Sequence, residues 1–129
     1  MFSLKIKYYD DLGWRGGCFK SRVMFPLICI KNKYKDDRGL LEHELTHYRQ
    51  WKNDPFFYDL KYQLSKERRL MYEIEAYAKQ YQVYCNESFH NPDYSWIIDS
   101  IYNKYSLGKS REEIKTRFEE YLRKMGLIS

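Results

Sequence analysis

Blocks of one charge, long apolar runs and paired cysteines are all missing from this chain, and each absence excludes something. The 23 Lys and Arg are interleaved with 18 Asp and Glu, so the net charge of +5 never gathers into the basic stripe or arm that nucleic-acid binding asks for. Only a mild preference for acidic partners remains. No window approaches the roughly 18 consecutive apolar residues of a membrane span, and the opening MFSLKIKYYDD lacks the apolar stretch of a secretory signal. The chain is expected to be soluble and cytoplasmic, with no membrane partner. Cys18, Cys29 and Cys85 are odd in number and share no C-x-x-C spacing, which argues against a disulfide framework or a cysteine zinc site. Reduced, buried thiols are expected.

Aromatic residues, in contrast, are plentiful. With 14 Tyr and 43% hydrophobic residues, the 129-residue chain has enough apolar material for a core, and its length fits one domain over residues 1–129. Phe2, Leu4, Ile6 and Tyr8 alternate with Ser3, Lys5 and Lys7, the period of a half-buried strand. Val23, Phe25 and the run Leu27 to Ile30 suggest one or two more strands, with Pro26 at an edge or bulge. Between them, Gly13, Trp14, Gly16 and Gly17 suit either a hairpin connection or a loop beside a cleft.

From Lys35 onward the period becomes helical. Asp36 or Asp37 can cap a helix whose apolar positions are Leu40, Leu41, Leu45, Tyr48 and Trp51. Asp54-Pro55 ends it and can open a second, with Phe56, Phe57, Leu60 and Leu64 as its apolar face. A third is predicted over about 68–84 with Leu70, Met71, Ile74, Tyr77, Ala78 and Tyr81 on one side. After the NESFHNPDY loop, Trp96, Ile97, Ile101 and Tyr105 outline a fourth. Ser110 with Glu113 marks the start of a fifth, which carries Ile114, Phe118, Tyr121, Leu122 and Met125. This mixed helical segment is read as a docking helix that closes the core.

Chemistry concentrates in GLLEHELTHYRQW. Residues four apart on a helix are neighbours, so His43 and His47 can reach one ion, and zinc accepts imidazole nitrogen. Glu44 is turned by about 100° around the axis, where it can serve as general base without competing as a ligand. A catalytic zinc site needs a third protein ligand. The metzincin extension would require a glycine and a histidine where this chain has Gln50 and Asn53, so that form is excluded. Glu73, Glu75 and His90 remain, and the helical wheel does not separate the two glutamates.

HELTH followed by EIEAY resembles the gluzincin pattern of thermolysin-like and related zinc peptidases, over residues 40–80. The resemblance implies an α+β, zincin-like domain: a small N-terminal sheet, the HExxH helix, a second helix carrying the ligand glutamate, and a helical remainder. In such families the ligand often stands three before a small alanine, which points to Glu73 with Ala76. Tyr77 occupies the place of an aspartate that commonly orients a histidine, so the orienting partner is open, as is the oxyanion donor, for which His90, Tyr81 and Tyr84 are candidates.

The expected function is a zinc metallopeptidase holding one Zn²⁺ through His43, His47 and Glu73, with Glu44 as base. Its partner would be a peptide or protein substrate, and the chain itself a monomer. In zincins an edge strand before the HExxH helix pairs with the substrate; the Leu27 to Ile30 run has that position, although core packing is its simpler explanation. The rivals are a non-catalytic zincin-like metal-binding or protein-interaction module and, less favoured, a basic helical nucleic-acid-binding protein.

Overall fold

A computed structural model describes residues 3–129 and has an α+β architecture: a small three-stranded sheet followed by a helical body. Strand β1 (Lys5–Tyr9), β2 (Gly17–Lys20) and β3 (Leu27–Lys31) come first, then α1 (Arg38–Asn53), α2 (Tyr58–Leu64), α3 (Lys66–Asn86), α4 (Ser95–Lys104) and α5 (Arg111–Lys124). The strand order is β1-β3-β2, with β1 parallel and β2 antiparallel to the central β3. The segment 10–16 is therefore a crossing to the far side of β3, and not a hairpin connection.

Leu27, Ile28, Cys29 and Ile30 are all buried, as a central strand covered on both faces requires. That makes the run core, and the strand with a free edge beside α1 is instead β2, earlier in the chain than expected. In β1 the expected buried face is open, with Ile6 38% and Tyr8 48% exposed, because α1 packs chiefly on β2 and β3. Phe2 lies outside the described residues. Val23 and Phe25 are not strand residues either. They sit in an exposed turn where Arg22 and Val23 both have positive φ, ahead of a buried Pro26.

Asp37 caps α1 by accepting the Leu40 N–H at 3.0 Å. The deepest face of this helix is not the leucine stripe. Leu40, Leu41, Leu45 and Tyr48 are half-buried, whereas Gly39, His43, Glu44, Thr46, His47, Gln50 and Trp51 are buried, because α3 and β2 pack on that side. Gly39 makes the approach to α3 possible: a Cβ there would stand 2.4 Å from the Tyr84 ring.

Helix α2 is also reversed. It starts at Tyr58, and that ring, together with half-buried Tyr62, faces inward, leaving Phe56, Phe57, Leu60 and Leu64 more than half exposed. Ser65 and Ser110 cap α3 and α5 by accepting the N–H of Arg68 and Glu113, each at 3.1 Å. A second core joins Leu70, Ile74, Tyr77, Ala78 and Tyr81 to Ile97, Ile98, Ile101, Ile114, Phe118 and Leu122. Met71, expected among them, is 51% exposed. Cys29 is buried and Cys18 and Cys85 half-buried, and all three are free thiols.

Candidate metal centre

Helices α1 and α3 pack side by side and bring His43, His47 and Glu73 to one point, each at most 6% exposed. Their Nε2, Nε2 and Oε1 atoms form a nearly equilateral triangle. The two nitrogens are 3.3 Å apart, and Glu73 Oε1 is 3.4 Å from His43 and 3.3 Å from His47. His43, Glu44 and His47 also cluster, one donor atom of each lying within 4.8 Å of the others.

The surrounding hydrogen bonds fix where the imidazole protons are. Tyr84 donates to the Asp37 carboxylate at 2.8 Å, so it accepts from Gln80 Nε2, which turns Gln80 Oε1 toward His43 Nδ1 at 2.9 Å. Gln50 Nε2 donates to Tyr72 O at 3.0 Å and to Glu75 Oε1 at 2.8 Å, which turns its oxygen toward His47 Nδ1, also at 2.9 Å. Each imidazole therefore donates from Nδ1 and directs the Nε2 lone pair inward. Tyr62 donates to Glu73 Oε2 at 2.5 Å, while the buried Oε1 has no hydrogen-bond partner. Three lone-pair atoms thus face one another.

Such a centre calls for positive charge. Burial by itself pushes the His47 pKa down, yet the negative charge of the Glu73 carboxylate beside it more than offsets this and raises it to about 9. Burial likewise disfavours the Glu73 carboxylate, but His47 and His43 hold its pKa well below the usual range. A proton bridges only one pair of atoms, whereas a metal uses three donors together. For ligand bonds of about 2.0–2.1 Å in a tetrahedron, donors stand roughly 3.3–3.4 Å apart. The residues present fit zinc in donor type and in spacing.

Glu44 lies to the side, with its Cγ 3.4 Å from where a Cβ on Gly17 would be, so glycine at the start of β2 leaves room for it. Burial raises its pKa, against the lowering effect of both histidines and, more weakly, of Arg15. A cleft of about 740 Å³ opens onto these groups between the 14–19 segment and the tyrosines of α2, α3 and the end of α4.

The structure separates the alternatives left by the sequence. Glu75 points to the other flank of α3, where it binds Gln50 and accepts from Tyr121 at 3.3 Å. His90 is exposed in the loop after α3 and does not line the cleft. Tyr81 donates to Pro92 O at 2.6 Å within the second core, and the Tyr84 hydroxyl is committed to Asp37. Tyr77 does line the cleft, packing edge-on against His43 with centroids 4.4 Å apart. The orienting glutamines had no sequence signal beyond their positions, Gln50 three after His47 and Gln80 two turns after Glu73. Comparison with protein-family models, curated proteins and solved structures finds no match, so the gluzincin resemblance stands on the HELTH and EIEAY residues alone.

Proposed function

We propose that this protein is a zincin-like zinc metallopeptidase of gluzincin type, hydrolysing peptide bonds with His43, His47 and Glu73 as metal ligands and Glu44 as general base. The observation that carries the reading is the triangle of three inward-facing lone-pair atoms, 3.3–3.4 Å on each edge, with Glu73 Oε1 buried and unsatisfied. When bound, zinc supplies Lewis-acid polarisation of a carbonyl and a water whose pKa falls from 15.7 to about 7.

The chain's own groups do the rest. Glu44, its proton affinity raised by burial, accepts the proton of the attacking water and returns it to the nitrogen of the leaving amine. Gln80 and Gln50 hold the two imidazoles in the tautomer that offers Nε2, and Tyr62 fixes the second oxygen of Glu73. The free edge of β2 gives an extended substrate main-chain partners. In the antiparallel register, the Gly17 and Phe19 amides and carbonyls face away from β3, since Gly16 O is the acceptor for Lys31 N–H.

Metal analysis and a peptide-library digest test the reading. Stoichiometric zinc is expected in the wild type and lost in His43→Ala. Glu44→Gln should keep zinc and lose hydrolysis. A wild type without zinc would overturn the assignment; zinc without cleavage of any peptide would favour a non-catalytic metal-binding or protein-interaction module. Steep salt-dependent DNA affinity in the metal-free protein would favour nucleic-acid binding.

A further inference from the structure

We propose that the cleft recognises a carboxylate of the substrate through Arg15 and Lys104, both beside the Trp14 ring that lines it; this rests on the peptidase reading above and adds the chemistry of the substrate to it. The charges along the cleft wall lead there by elimination. Outside the metal centre its acidic residues are Asp37 and Asp59 and its basic ones Arg15, Lys31 and Lys104. Asp37 is used by the Leu40 amide and the Tyr84 hydroxyl, and Asp59 accepts from Ser21 Oγ at 2.5 Å. Lys31 Nζ donates to Gly13 O at 2.9 Å.

Arg15 and Lys104 are left. Among the described residues neither has a carboxylate within ion-pair distance, yet both come to the same indole, 5.3 and 5.7 Å from the Trp14 ring centroid. They arrive from distant parts of the chain, one from the 10–16 crossing and the other from the last turn of α4. Two positive charges at one ring raise the local potential for an incoming anion. Arg15 adds a planar fork that matches a carboxylate.

Placement ties this to the reaction. Arg15 stands two residues before Gly17, against which Glu44 packs, so a chain laid along β2 passes from the base toward Arg15. Trp14, 71% exposed, presents an apolar surface to the stem of the residue that bears the anion. That anion is either an Asp or Glu side chain or the peptide's own C-terminus.

The test measures binding to zinc-loaded Glu44→Gln protein by fluorescence anisotropy. Labelled alanine-based peptides carry a single Glu or Gln moved through each position, and each is made with a free and an amidated C-terminus. A gain of about tenfold for Glu over Gln at one position identifies the side chain, and the same gain for free acid over amide identifies the terminus. Arg15→Ala/Lys104→Ala should remove that gain while zinc stoichiometry is unchanged, and Arg15→Glu/Lys104→Glu should shift preference to a Lys peptide. Equal binding of all wild-type pairs, or a gain that survives the double alanine variant, overturns the proposal. Failure of the peptidase reading has a different signature: wild type that takes up no zinc or cleaves no peptide, with the carboxylate preference still read in the metal-free protein.

Discussion

Gln50 and Gln80 receive the Nδ1 protons of the two histidines, a task that zinc sites frequently give to carboxylates. A neutral amide fixes the tautomer and ring angle but adds no negative charge to the imidazole. The centre accordingly depends on correct positioning more than on added charge. Gln80→Leu should lower zinc affinity about 10–100-fold in a chelator competition, with the fold retained by circular dichroism. Tyr84→Phe keeps the glutamine and loses its anchor to Asp37, so a smaller loss of the same kind is expected. An affinity unchanged in both would mean that α1 packing alone orients His43. The thiols play no comparable part: burial, followed by the neighbouring Cys29, raises the Cys18 pKa to about 11, which leaves it protonated at neutral pH and a poor nucleophile.

Among the elements, α1 and α3 are held at a distance that only glycine permits. Gly39→Ala would ordinarily favour a helix by up to about 1 kcal/mol, but a methyl 2.4 Å from the Tyr84 ring must displace it. Overpacking of this kind costs about 1–3 kcal/mol, so net destabilisation is expected, together with weaker zinc binding because Tyr84 supports Gln80. Denaturant unfolding and zinc titration read the two effects. On α2 the outward residues should be nearly silent: Leu60→Gln and Leu64→Gln are expected within about 0.5 kcal/mol of wild type, while Tyr58→Ala, which empties a buried site, should cost about 3 kcal/mol.

Helix α5 is pinned to the start of α3 by Arg117 and Glu67. The Arg117 hydrogen bond is the main cause of the lowered Glu67 pKa, so the pair stabilises above the ordinary value of 4.5 and that contribution disappears as pH falls through the depressed one. The carboxylate is half exposed, and solvent screening limits the pair to about 0.5 kcal/mol. Arg117→Met should therefore differ from wild type at pH 7, and the difference should close as pH falls through the depressed Glu67 value, below which the carboxylate is protonated in both. A difference that persisted in acid would assign it to packing of the arginine stem.

For the whole molecule, a metal that binds only the folded chain should raise its stability, by about 2.7 kcal/mol at a hundredfold excess over Kd, and chelation should reverse this in a thermal melt. The sequence made the succession of sheet and helices legible, because caps such as Asp37 and Ser110 and a 3.6-residue period are local signals. It also brought out His43, Glu44 and His47, whose spacing is itself the geometry. What it hid was which side of each helix faces in. Hydrophobic pattern places leucines inside, but in α1 the inner side carries His43, His47 and Gln50, polar groups that bond to one another or to α3 and face Glu73 across the helix pair. In α2 the same pattern pointed outward. The helical wheel could not separate Glu73 from Glu75, and only the resemblance pointed to Glu73, since their duties depend on Gln50 lying opposite one and the two histidines opposite the other.

The contact between Tyr121 and Glu75 links the last helix to the centre, through Gln50 to His47. An ion held by His47 is then a listening post for α5. With cobalt in place of zinc, the visible absorption band should shift or broaden when that helix is loosened, as in Tyr121→Phe or after clipping the 105–110 loop, well before secondary structure is lost. Colour would report the docking of a segment that contributes no ligand.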